Sequence, residues 1–198
     1  MNLQQYDLNR KPYLIYNFYN CFNRDTIYEI NHIVSELDKN INSINYNGER
    51  VNGNLRYFID KNTVKNYPMI EKCIKFLIRK DTINHIENLG NISLENCYLR
   101  FEVILDKENF WLEKHVDIPE KKMSFLLFIN DNGEDINNGT DIYNQDLRLV
   151  NTIPFIHNSG YMFFPSKISW HGLEKGKNIR YRKVVLINYV TFETDWKL

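Results

Sequence analysis

Of the five histidines in this chain, one opens a short run capable of metal chemistry, His115-Val116-Asp117. In extended backbone, residues i and i+2 point to the same side, so this imidazole and this carboxylate can reach a single ion; on a helix they diverge. The spacing alone says little, because 25 of the 198 residues are acidic and His85-Ile86-Glu87 repeats it. That second pair lies in a stretch with helical periodicity and is set aside. A third ligand is offered by His171, 56 residues beyond His115, in Ser169-Trp170-His171-Gly172. Two imidazoles and one carboxylate on one face of a metal leave the opposite face open. That arrangement suits a non-haem Fe(II) centre, where an oxo acid chelates the metal and oxygen binds beside it.

A basic run, Arg180-Tyr181-Arg182-Lys183, follows. Arg180 and Arg182 alternate onto one face of a segment leading into the apolar run 184–190. A guanidinium matches a carboxylate through two parallel hydrogen bonds, so either can anchor the far end of a dicarboxylic co-substrate. His32, His85 and His157 read as solvated or packed side chains. Trp111 and Trp170 read as core or pocket wall, and Lys121-Lys122 as a solvated turn.

The elements that must hold these residues fall into two halves. Up to residue 95 the chain reads as helical. Asp25 can cap a helix carrying Ile27, Ile30, Ile33, Val34 and Leu37, and 40–54 reads as an Asn- and Gly-rich loop. Pro68 opens a second apolar stripe through Met69, Ile70, Cys73, Ile74 and Leu77, with Gly90 as a stop. From residue 96 the runs 98–105, 123–130, 149–156, 161–164 and 183–192 are short, rich in β-branched and aromatic residues, and bounded by Asn, Asp, Gly or Pro. Such a series predicts a β-sandwich or jelly roll, with 123–130 apolar enough to be covered on both faces. The expected organisation is one domain, 1–198, mainly β with N-terminal helices: a helical support region over 1–95 and a β core over 96–198.

Read as an ordered set, KHVDIPEKKMSFLLFINDNGEDINNGTDIY, SGYMFFPSKISWHG and IRYRKVVLINYV resemble the 2-oxoglutarate/Fe(II)-dependent dioxygenases, and the prolyl-hydroxylase-like branch in particular. The likeness spans roughly residues 96–192. It implies a double-stranded β-helix (a cupin-like jelly roll), Fe(II) held by His115, Asp117 and His171, and 2-oxoglutarate anchored by Arg182, with Arg180 as the reserve. The implied activity is hydroxylation with release of succinate and CO2. Halogenating relatives replace the carboxylate by a small residue; Asp117 keeps it here, which favours oxygen insertion or desaturation. Where prolyl hydroxylases often carry a Gly pair, this chain has Asn138-Gly139, which argues against carrying over peptide substrates. The expected partners are therefore molecular oxygen and a small-molecule substrate, contacted by 131–138, the 40–60 region and the strand around Arg100. Hydroxylation of a protein or peptide side chain and a non-catalytic cupin-like binding module are the alternatives.

Composition narrows the setting. With 43% hydrophobic and 14% aromatic residues the chain can bury a core. Lys plus Arg and Asp plus Glu balance at 25 each, leaving no electrostatic footprint for nucleic acid or an anionic membrane. No apolar run reaches the length of a membrane span, and the N-terminal residues lack a signal-peptide core. Cys21, Cys73 and Cys97 form no C-x-x-C pair and are expected as free thiols in a cytoplasmic setting. Oligomeric state is not set by the sequence.

Overall fold

The computed structural model describes residues 1–39, the backbone of 46–49, and 54–198. In chain order the first half holds β1 (Tyr6–Asn9), β2 (Ile15–Tyr19), α1 (Arg24–Lys39), β3 (Tyr46–Glu49), β4 (Asn54–Phe58), α2 (Pro68–Leu77) and α3 (Lys80–Gly90). The second half holds β5 (Tyr98–Lys107), β6 (Leu112–His115), β7 (Lys121–Phe128), β8 (Thr140–Tyr143), β9 (Leu149–Ile153), β10 (Ser159–Phe163), β11 (His171–Leu173), β12 (Tyr181–Val190) and β13 (Trp196–Lys197). The protein is mainly β, with few helices. None of the helices among the described residues is long and apolar enough to cross a membrane.

The strands form two sheets. The larger runs β1-β2-β10-β7-β12-β5-β4-β3, with β13 also on β5, and the smaller runs β6-β11-β8-β9. Every pairing is antiparallel, so side chains alternate between two faces of the large sheet. Met123, Phe125 and Leu127 of β7 join Val185, Ile187 and Tyr189 of β12 on the face covered by α1, α2 and α3. Leu126, Phe128, Val184 and Leu186 point the other way, into a second cluster with Ile142 and Ile153 of the small sheet. Residues 123–128 are thus apolar at every position but Ser124 because they are covered twice. Each such buried side chain contributes about 1.5–3 kcal/mol.

The helices form as their apolar spacing predicts, with one change of cap. Asn23 Oδ1, not Asp25, accepts the Thr26 amide at 2.9 Å, and Asp25 sits in the first turn, where its charge complements the helix dipole. Pro68 is at the start of α2, where Glu29 accepts from the amides of Met69 and Ile70 at 2.9–3.0 Å. Left-handed Asn91 follows Gly90 as the cap of α3.

The helical reading of 1–95 needs correction. β1 and β2 extend the large sheet through β10, and β4 pairs with β5. Within the expected loop 40–54, residues 46–49 form β3, while 40–45 and 50–53 lie outside the described residues. The missed strands are short, and their partners lie far along the chain, beyond the reach of a local pattern. The three cysteines are free and buried.

Candidate metal centre

The two histidines meet through strand register. β6 and β11 pair antiparallel in the small sheet with His171 directly opposite His115, and their rings lie 4.4 Å apart between centroids. Gly172 lets the strands approach closely, since a Cβ there would come within 2.8 Å of Leu112 O. Each ring is oriented by its own backbone. His115 Nδ1 donates to Glu113 O at 2.8 Å and His171 Nδ1 to Ser169 O at 2.9 Å, which leaves both Nε2 atoms as acceptors for a metal. Burial pushes His171 down to about pH 4 despite the opposing pull of Asp117, so its imidazole is neutral at pH 7 and ready to coordinate.

Asp117 lies just beyond the end of β6, in the turn toward β7. Lys121 Nζ donates to Oδ1 at 2.5 Å and Ser124 Oγ to Oδ2 at 2.6 Å. Asn188 of β12 donates to Ser124 Oγ at 2.9 Å, so the carboxylate is held from two strands of the large sheet. Burial raises the Asp117 pKa, but Lys121, His171 and the hydrogen bonds outweigh it and keep the carboxyl below its ordinary range. One ligand atom from each of His115, Asp117 and His171 lies within 4.8 Å of the others. Two imidazole nitrogens and one ionised oxygen in such a cluster suit a borderline divalent ion such as Fe(II).

Two cavities flank the triad. The inner one, about 90 Å³, reaches from His115, Asp117 and His171 between the sheets to Thr140, Asp106 and Arg182. Arg182 donates through Nε to Asn138 O at 2.7 Å, through Nη2 to Gly139 O at 3.1 Å, and through Nη1 to Asp106. Nearby, the Tyr161 hydroxyl is fully buried and has no well-formed hydrogen bond, with the charge of Arg182 and the side chain of Thr140 both acting on it. The outer cavity, about 300 Å³, is bounded by His115, Asp117 and Lys121 on one side and by Arg56, Arg100 and Glu102 on the other.

No family model and no curated protein matches the sequence. Solved structures do match. A prolyl-4-hydroxylase from Pseudomonas putida superposes with a TM-score of 0.67 at 12% identity, over 90% of this chain and 93% of that one. A 2OG-Fe(II) oxygenase family oxidoreductase from Burkholderia pseudomallei gives 0.58 at 12%, over 91% and 85%. A prolyl hydroxylase from Trichoplax adhaerens, solved with a hypoxia inducible factor peptide fragment, gives 0.60 at 16%, over 89% and 83%. The chain has the fold of the 2OG-Fe(II) oxygenases.

Within this oxygenase fold the structure brings together His115, Asp117, His171 and Arg182 and leaves Arg180 out. Arg180 precedes β12, its side chain is 70% exposed, and it pairs with Glu134 at 3.4 Å. The alternation that would have put it beside Arg182 starts only at Tyr181. Lys121 is no solvated turn residue: it opens β7, pairs with Asp117 and lines both cavities. Its position four residues after Asp117 was the available signal, hidden by an adjacent Lys122. Of the expected substrate contacts, Asn54, Arg56 and Arg100 line the cavities, while none of 131–138 does. Asn138 serves instead by its carbonyl, which accepts from Arg182. The discarded His85 is exposed on α3, as its helical spacing predicts.

Proposed function

We propose that this protein is an Fe(II)- and 2-oxoglutarate-dependent oxygenase on a double-stranded β-helix, hydroxylating a small molecule. The observation that carries the reading is the triad of His115, Asp117 and His171 at the junction of two cavities, with Arg182 lining the inner one. His115, Asp117 and His171 would hold the metal. With 2-oxoglutarate, Fe(II) in such a site supplies oxygenation of a C–H bond coupled to oxidation of the oxo acid to succinate and CO2.

The protein's own groups have separable tasks. Nδ1–H bonds to backbone carbonyls fix both imidazoles in the tautomer that presents Nε2. Lys121 and Ser124 keep Asp117 ionised and oriented. Three of the five guanidinium N–H groups of Arg182 are committed, and the other two are suited to the distal carboxylate of the co-substrate. Tyr161 supplies a further hydroxyl donor close by. Apolar walls from Ile104, Phe110, Leu112 and Leu186 limit water around the reacting groups.

The outer cavity is at the lower end of small-ligand pocket sizes, which favours a small substrate. The fold likeness to two prolyl hydroxylases, one bound to a peptide, supports a second reading in which a peptide side chain enters that cavity. Anaerobic addition of Fe(II) and 2-oxoglutarate should give a visible charge-transfer band that His115→Ala abolishes. Arg182→Ala should raise the 2-oxoglutarate requirement at least about tenfold, or about 1.4 kcal/mol, and Arg180→Ala should not. No band, and no succinate with any substrate, would leave a cupin-like binding module.

A further inference from the structure

A buried carboxylate stands behind the arginine of the inner cavity. On β5, Asp106 lies opposite Asn54 of β4 on one side and opposite Arg182 of β12 on the other. Directly opposed side chains in a sheet share a face, so the three form one row across β4, β5 and β12. All three are buried and line the inner cavity. Asp106 Oδ2 accepts from Arg182 Nη1, and its Oδ1 accepts from Asn54 Nδ2 at 2.5 Å. The chain of bonds continues to Arg56, whose Nε donates to Asn54 Oδ1 at 2.6 Å and whose Nη1 lies 2.8 Å from Glu102 Oε2.

This chain has one orientation. Arg56 can only donate, so it takes the oxygen end of the Asn54 amide and turns the Nδ2 end toward Asp106. With both oxygens engaged, the Asp106 carboxylate is fixed, and so is the guanidinium it holds. Asn138 O and Gly139 O take Nε and Nη2 of Arg182, gripping the same guanidinium from the segment that leads into β8. A buried ion pair adds little stability over apolar side chains of similar volume, so stability alone does not account for this one. What it provides is a fixed far end to a cavity whose near end, at the triad, is fixed by strand register.

We propose that Asp106 and Asn54 are positioning residues that make Arg182 a length gauge for the co-substrate. A 2-oxo diacid held at the triad meets the fixed guanidinium with its distal carboxylate at one chain length. Lengthened by one methylene, it is pushed into the Arg182–Asp106 pair. An Arg182 free to tilt would accept both lengths. Asp106 and Asn54 act through Arg182, their own polar atoms being bonded to each other and to the two arginines. The inference deepens the oxygenase reading and rests on it for the identity of the ligand.

The test is a titration of the Mn(II)-loaded protein with 2-oxoglutarate and with 2-oxoadipate, which is longer by one methylene. One methylene in a rigid pocket is worth about tenfold or more, so 2-oxoglutarate should bind at least about tenfold more tightly. Asn54→Ala should reduce that preference to within about threefold, because Arg182 is then free to follow either ligand. Asp106→Asn, with one acceptor oxygen where two are used, should do the same and serves as the second variant. Equal binding of the two acids by the unaltered protein would overturn the proposal. So would a preference that survives in the variants while both affinities fall together, the result expected of a merely structural role. Failure of 2-oxoglutarate to bind the Mn(II) protein would instead refute the oxygenase reading. Hydrogen exchange at Arg182 Nε, followed by NMR in metal-free protein, would then still decide the positioning role: Asn54→Ala should accelerate it, and an unchanged rate would remove Asn54 and Asp106 from it.

Discussion

Ser124 and Asn188 are not among the three candidate ligands, yet they help to orient Asp117, because Asn188 holds the serine that holds the carboxylate. Partners one step removed from a metal typically affect its affinity about 10–100-fold. Ser124→Ala should weaken Fe(II) binding by about that factor with the melting profile of the metal-free protein little changed; an unaltered affinity in a competition titration would remove Ser124 from the site. His171 carries a prediction about pH. Its folded-state pKa, about 4, lies below the ordinary 6.5, so the unfolded chain binds the extra proton first. The stability it contributes is complete above pH 6.5 and is lost as pH falls toward 4, up to about 3 kcal/mol. Denaturant titrations of the metal-free protein across that window should show the loss, and His171→Gln should flatten it.

Between residue and molecule, strand proximity places strict limits on side-chain volume. At Gly139, which leads into β8, a Cβ would sit 1.6 Å from Ile153 O of β9, and backbone there cannot yield without separating the pair. Gly139 O is also an acceptor for Arg182, so the same displacement disturbs the inner cavity. Gly133→Ala makes a useful contrast, since that residue is at φ +71 with nothing within 4 Å of the added carbon. Gly133→Ala should cost only about 1 kcal/mol, from backbone conformation. Gly139→Ala should cost more than about 3 kcal/mol. Chemical denaturation of the two variants checks the order, and comparable losses would show that strand spacing at Gly139 is more pliable than it looks.

For the molecule as a whole, β2 joins both cores. Tyr16 and Phe18 enter the cluster beneath the helices, while Ile15, with Tyr13 just before it, enters the cluster between the sheets. At about 1.5–3 kcal/mol each, these four side chains contribute about 6–12 kcal/mol, comparable to the whole stability of a typical domain. Deleting residues 1–19 should therefore abolish the cooperative thermal transition, followed by circular dichroism, rather than merely lower its midpoint. A truncated protein that still melts sharply and binds metal would make β1 and β2 dispensable.

The ligand types were legible in the sequence because coordination chemistry demands particular atoms and extended backbone has a fixed two-residue repeat. His115, Asp117 and His171 could be picked out that way as candidate ligands, as could the doubly covered strand at 123–128, whereas the preference for Arg182 over Arg180 came from the family resemblance. Tertiary structure alone decided the rest, because it depends on register between segments far apart in the chain. Pairing β6 with β11 put His115 opposite His171, the turn after β6 delivered Asp117 to Lys121 and Ser124, and the start of β12 at Tyr181 separated Arg182 from Arg180. Pairing β4 with β5 likewise brought Arg56 to Glu102. Local patterns specify which face a side chain takes relative to its neighbours in sequence; only strand pairing specifies what lies across from it.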